Sequence, residues 1–218
     1  MLERFDLVVF DWDGTLSDST AAIARAIQDA AADLGLPVPD DATASHVIGL
    51  GLNEALARAV PTLAPERIPE YSARYRFHYF AREAELVLFA GARELIAELR
   101  AAGVLLAVAT GKSQRGLQRA LASAGLAGEF AATRCADQTH PKPHPAMLLE
   151  LTDELTVAPA RTLMIGDTTH DLQMAAAART AGVGLTQGAH PHAQLAACRP
   201  LALFDSLPEL HRWLMPQR

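Results

Sequence analysis

Lysine is nearly missing from this chain: Lys112 and Lys142 are the only two among 218 residues, and arginine supplies almost all of the positive charge. No run of Lys or Arg marks a basic patch, and the formal net charge is −6, which argues against extended contact with nucleic acid. Cysteine is scarce as well. Cys135 and Cys198 stand far apart, without metal-ligand spacing, so free thiols in a reducing compartment are expected. Nowhere do about 18 uncharged apolar residues follow one another, so no membrane-spanning helix is expected. The opening MLERFDL carries acids at once and does not read as a signal peptide. These absences predict a soluble, cytoplasmic protein with neither nucleic acid nor membrane as partner. Nothing in the sequence sets an oligomeric state.

Half of the residues are apolar and a fifth are charged, an ordinary globular composition. A chain of this length can build one substantial core, or a core and a small second domain. Four runs rich in branched residues read as buried strands: FDLVVF (5–10), VLLAVA (104–109), TLMIG (162–166) and VGLT (183–186). Between them ARELIAELRAAG (92–103), RGLQRALASAGL (115–126) and THDLQMAAAARTAG (169–182) carry apolar residues at helical spacing and close on glycine. The alternation predicts an α/β fold, a doubly wound parallel sheet covered on both faces. It is interrupted over about 18–86, which reads as helices only: AAIARAIQDAAADLG, NEALARAV, and a third region in which Pro69 marks a start or a kink. The expected organisation is therefore a sheet domain of residues 1–17 and 87–218 with a helical insert of 18–86.

In open parallel sheets, ligands bind beyond the carboxyl ends of the strands. FDLVVF is followed by Asp11 and Asp13, VLLAVA by Thr110, Gly111 and Lys112, and TLMI by Gly166 and Asp167, with Asp171 four residues on. Lys142 lies in the loop QTHPKPHP. Each has a plainer explanation. Asp-Gly is a turn signal, Thr-Gly can be a strand-to-helix turn, and Asp167 and Asp171 could cap a helix. Independent caps and turns have no reason to fall at successive strand ends. Two carboxylates 4 Å apart repel by about 4 kcal/mol at an effective dielectric near 20. Four of them with one lysine need a divalent cation or a retained proton, and both remedies suit phosphoryl transfer.

Asp11-Trp-Asp13-Gly14-Thr15, Thr110-Gly111, Lys142, and Gly166-Asp167 with Asp171 resemble, in order, the four signature motifs of the haloacid dehalogenase superfamily. The resemblance covers essentially the whole chain. It implies a Rossmann-like core with an inserted helical cap, which matches the interruption at 18–86. It further implies that Asp11 is a nucleophile forming an aspartyl-phosphate, and that Asp13 protonates the leaving alkoxide and then activates water. Thr110 and the Gly111 amide would hold the phosphoryl oxygens while Lys142 neutralises their charge. Mg2+ would be bound by Asp11, the carbonyl of Asp13, and Asp167, with Asp171 orienting the metal's surroundings or Lys142.

Within the superfamily, Asp13 favours phosphate esters, because carbon–halogen displacement leaves no alkoxide to protonate. The absence of lysine from 18–86 excludes the Schiff-base route of phosphonoacetaldehyde hydrolases. Sugar-phosphate mutases carry a histidine five residues after the aspartate matching Asp18, where this chain has Ile23. Asp18-Ser19-Thr20-Ala21-Ala22-Ile23 and VIGLGLNEAL instead resemble phosphoglycolate phosphatases, with Gly49 and Gly51 letting that cap loop reach the site mouth. The implied partner is a small phosphorylated metabolite. Pyrophosphate, nucleotide and sugar-phosphate substrates stay open, as does a non-catalytic phospho-accepting signalling domain. GLGLNE lacks the third glycine of a dinucleotide fingerprint. His140, His144, His190 and His192 read as loop histidines, Phe77, Tyr79 and Phe80 as packing within the insert, and Arg115 and Arg119 as a solvated face.

Overall fold

The four residues of the first strand, Leu7–Phe10, have no exposed surface, and their side chains alternate between two apolar layers. Val8 and Phe10 join Leu95, Ile96, Leu99 and Leu117 on one side. Leu7 and Val9 join Met147, Leu151, Met164 and Met174 on the other. A strand apolar at every position belongs at the centre of a sheet covered on both faces.

The computed structural model describes residues 1–215; positions 216–218 of the expected sheet domain lie outside the described residues. In chain order the strands are β1 (Leu7–Phe10), β2 (Ser17–Asp18), β3 (Val87–Leu88), β4 (Leu105–Thr110), β5 (Ala132–Cys135), β6 (Thr162–Gly166), β7 (Ala181–Leu185) and β8 (Ala202–Phe204). The α-helices are α1 (Thr20–Asp33), α2 (Asp41–His46), α3 (Leu52–Ala59), α4 (Ile68–Arg82), α5 (Ala92–Ala101), α6 (Gln114–Ser123), α7 (Ala146–Glu154), α8 (Thr169–Ala177), α9 (His192–Ala197) and α10 (Leu207–Leu214). Six strands form one parallel sheet in the order β5-β4-β1-β6-β7-β8. The fold is α/β, as expected, with a helical insert after the first strand.

The four expected strands are the four central ones. The two outermost, β5 and β8, carry no apolar run; β5 reads ATRC and β8 is only half-buried, as edge positions allow. Sequence periodicity also passes over α2, α7, α9 and α10.

Helices α1 to α4 enclose their own apolar cluster, built on Ile23, Ile27, Ile48, Leu56 and Tyr71. The Tyr71 hydroxyl donates to the carbonyl of Ile27 at 2.9 Å, so its one buried polar atom is satisfied. Pro69 falls in the first turn of α4, where a missing N–H costs nothing; it starts the helix rather than kinking it. Where the chain leaves and re-enters the sheet region, β2 and β3 pair antiparallel, Ser17 opposite Leu88 and Asp18 opposite Val87. No helix among the described residues is long and apolar enough to cross a membrane.

Candidate active site

β1 lies where the chain's direction across the sheet divides. β4 and β5 extend to one side of it, and β6, β7 and β8 to the other. Such a switch point opens a crevice at the carboxyl ends of the strands. Asp11 follows β1, Thr110 closes β4 and Asp167 follows β6, so three neighbouring strands deliver three of the expected residues to one edge.

Asp11 is fully buried, and its two oxygens are treated differently. Oδ1 accepts the Trp12 amide at 2.6 Å and lies 2.8 Å from Lys142 Nζ. Oδ2 has no partner. Lys142 is itself fully buried and also lies 2.7 Å from Asp171 Oδ1, so one ammonium is clamped between two carboxylates. Both contacts are ion pairs bent away from ideal hydrogen-bond angles. Asp171 has a second task in the first turn of α8. Its Oδ2 accepts the amide and hydroxyl of Thr168, while the Thr168 hydroxyl accepts the Asp171 amide, a reciprocal cap. Asp171 thus caps the helix, as the plainer explanation has it, and also contacts Lys142.

Asp167 is fixed by Thr15, the last residue of the first motif, and by the loop after β7, which the sequence reading does not single out. Its Oδ1 accepts the Thr15 hydroxyl at 2.8 Å and its Oδ2 the Ala189 amide at 2.7 Å. A Cβ on Gly188 would stand 2.1 Å from Asp167 Oδ2, so the loop after β7 approaches this closely only because position 188 has no side chain. One oxygen from each of Asp11, Asp167 and Asp171 can be chosen so that all lie within 4.8 Å of one another.

Asp13 stands apart, on the wall of a cavity of about 480 Å³ between the sheet edge and the insert. Its Oδ1 accepts the Ser19 hydroxyl at 2.7 Å and pairs with Lys112 Nζ at 3.0 Å. Lys112 also donates to the Tyr79 hydroxyl of α4 at 2.9 Å. The Thr110 hydroxyl is buried and accepts the Lys112 amide at 3.3 Å. Gly111 meets the insert directly: a Cβ there would sit 2.4 Å from the Leu50 carbonyl oxygen and 2.6 Å from that of Gly49. A Cβ on Gly49, which has φ +90°, would lie 3.8 Å from Asp11 Oδ2, so this turn of the insert reaches the site as its glycines suggest.

Burial dominates the titration of the cluster. It pushes the Asp11 carboxyl up to about 7, with the Lys142 charge opposing and the Asp171 charge adding to it. Asp167 is raised well above the usual carboxylate range by burial and then by the charges of Asp11 and Asp171. Burial pulls the Lys142 ammonium down, but its two carboxylate partners outweigh it and leave the pKa above the ordinary value. Four aspartates face two lysines, so with all groups ionised the site is two positive charges short. A partnerless buried carboxylate oxygen, a hard oxygen donor set and that deficit all fit a divalent cation such as magnesium.

The structure adds to several further expectations. Lys112, given no role by the sequence reading, is an ion-pair partner of Asp13. Tyr79 belongs to the insert's apolar cluster, as expected, and also lines the cavity with Phe80, whereas Phe77 is exposed, with Arg74 lying 4.9 Å over its ring. Arg119 is not a merely solvated residue: it lines the cavity, pairs with Glu83 at 3.5 Å and lies 4.1 Å over Phe80. His190 is a hydrogen-bonded loop histidine, as expected, and it is buried. Its Nδ1 accepts the Thr169 amide at 3.0 Å, and its ring stacks on that of His46 at 4.7 Å between centroids.

Residues 8–185 match the family described as haloacid dehalogenase-like hydrolase. The chain is 39% identical over 211 residues to the "Probable phosphatase IndB" of Dickeya dadantii, covering 94% of this chain and 91% of that protein. It is 32% identical over 221 residues to a phosphoglycolate phosphatase of Pasteurella multocida, covering 96% and 98% respectively. Among solved structures, that of a predicted phosphoglycolate phosphatase from Haemophilus somnus superposes with a TM-score of 0.86 at 26% identity, over 97% of this chain and 99% of that one.

Proposed function

Because the chain belongs to the haloacid dehalogenase-like hydrolases, we propose that it hydrolyses a small organic phosphate monoester, 2-phosphoglycolate-like, through an aspartyl-phosphate on Asp11. The observation that carries this reading is the asymmetry of Asp11. Lys142 and the Trp12 amide hold one oxygen, and the other is buried, without a hydrogen-bond partner among the described residues, and so available. A carboxylate kept from water and from donors is a stronger nucleophile than a solvated one.

In the first step an Asp11 oxygen attacks phosphorus and the bond to the ester oxygen breaks. Asp13, on the cavity wall, gives its proton to the departing alkoxide. In the second step water attacks the phosphorus of the aspartyl-phosphate, Asp13 takes the proton, and phosphate leaves as the Asp11 carboxylate is restored. Lys142 holds Asp11 in its attacking orientation and offsets charge on the phosphoryl oxygens, assisted by the Thr110 hydroxyl and the Gly111 amide. Asp171 keeps Lys142 in place through its ion pair.

Magnesium would be held by Asp11, the backbone carbonyl of Asp13, and Asp167. When bound it supplies Lewis-acid neutralisation of the phosphoryl oxygens. Residues 1–17 and 87–218 are assigned as the catalytic core and 18–86 as its cap, the β2–β3 pair forming the joint.

The test is turnover of 2-phosphoglycolate and p-nitrophenyl phosphate by wild type with magnesium, abolished by chelation. Asp11→Asn should keep the wild-type far-ultraviolet circular dichroism and show no turnover. Turnover in that variant, or none in wild type across a panel of phosphate monoesters, would refute the proposal.

A further inference from the structure

Lys112 takes no part in the reaction as set out, yet it is the lysine of this chain that lines the cavity; Lys142 is sealed beneath it. An ammonium has three protons to donate. One is donated to the Tyr79 hydroxyl at 2.9 Å, and the charge forms an ion pair with Asp13 Oδ1 at 3.0 Å. The ammonium has no further hydrogen-bond partner among the described residues, although the side chain is only 11% exposed. The ammonium also lies 4.8 Å over the Tyr79 ring. Its surroundings raise its pKa: burial opposes the charge, but Asp13 and the tyrosines Tyr79 and Tyr75 outweigh it.

The position of this cation along a bound ester follows from the proposed reaction, on which the inference rests. The ester oxygen comes to Asp13, so the first carbons of the alcohol lie beside Lys112. Most of the remaining wall is apolar, with Ile23, Ile27 and Leu50 among its residues. Arg119 is engaged with Glu83 and Phe80, and Arg76 sits at the exposed rim. The volume of about 480 Å³ is that of a small-molecule pocket and leaves room beyond a two-carbon acid.

We propose that Lys112, with the Tyr79 hydroxyl beside it, binds a carboxylate carried by the substrate's alcohol close to the ester oxygen, so that the enzyme selects phosphorylated hydroxy acids over neutral phosphate esters. Lys112 would then lie between the Asp13 carboxyl and the substrate carboxylate, a setting like that of Lys142 between Asp11 and Asp171. A neutral ester leaves a desolvated ammonium short of an acceptor, a cost that falls on binding. Lys112 comes from the sheet domain and Tyr79 from the insert, so a bound carboxylate touches both.

The test compares 2-phosphoglycolate with its uncharged amide, 2-phosphoglycolamide, in the presence of magnesium. A charge-assisted hydrogen bond predicts a kcat/KM ratio of about tenfold or more in favour of the carboxylate on wild type. Lys112→Met should bring the ratio close to one, and Lys112→Arg should restore part of it. If Lys112→Met does not fold, Tyr79→Phe carries the test and should lower the ratio by about threefold. The same esters are titrated calorimetrically into Asp11→Asn protein, where the carboxylate should bind tighter by a similar factor and lose that advantage when Lys112→Met is added. Equal handling of the two esters by wild type, or equal losses for both in Lys112→Met, would overturn the inference. If wild type turns over neither ester while Asp11→Asn still discriminates them in binding, the phosphatase reading fails and the carboxylate site stands. Binding of neither ester overturns both.

Discussion

Removing one buried charge should change how the metal-free protein responds to pH. Asp11 titrates near 7 in the folded chain, against 3.8 for an unburied aspartate. A carboxyl whose pKa is higher folded than unfolded binds more protons in the folded state across that window. Stability is therefore present below about pH 4 and is lost as pH rises towards 7. Over the interval from pH 5 to pH 8 this amounts to about 3 kcal/mol, or roughly 6–12 °C in Tm for a chain of this size. Asp11→Asn removes the ionisation. His190, which burial holds at about 4, acts in the opposite sense in the lower part of the window, but it is present in both proteins and cancels in the difference. The assay is thermal melting of wild type and Asp11→Asn with chelator at several pH values. The Tm of the variant relative to wild type should rise by the stated amount between pH 5 and pH 8. Magnesium at pH 8 should close the gap by raising wild type more than the variant. Melting temperatures that run parallel across the range would refute the account of Asp11 as a desolvated, partly protonated carboxyl.

Two further substitutions test the remaining parts of the site. Asp13→Asn should lower both the phosphorylation burst and steady-state turnover by about 10²–10⁴-fold in rapid-quench kinetics; a change confined to KM would contradict its acid–base role. Gly111→Ala forces a methyl against the carbonyls of Gly49 and Leu50, so the insert must shift. A displacement of about 1 Å predicts a loss of kcat/KM near 100-fold with little change in Tm, and unaltered kinetics would show that the insert need not seat there.

The centre of the sheet and the residues at its strand ends are legible because burial on two faces writes itself as an unbroken apolar run. LVVF, LLAVAT and TLMIG need no partner to be recognised. ATRC of β5 and ALF of β8 satisfy only part of their surface and carry no such mark. Asp11, Asp13, Thr110 and Asp167 announce themselves as polar residues where an apolar run stops. Lys112 stands in the same position, but nothing local reveals that its ammonium turns to Asp13 and Tyr79. Tyr79 and Phe77 share one helix and one residue class, and only tertiary packing decides that the first faces the cavity and the second faces water. The Ala189 amide and Gly188 act through backbone position, which no side-chain pattern encodes.

The fold has drawn both of its lysines into the cleft, leaving the outer surface without a single side-chain amine. Reagents and surfaces that couple through side-chain amines therefore meet, through the cavity, Lys112. Chemistry that usually decorates a protein at random would here converge on the cavity that Lys112 lines.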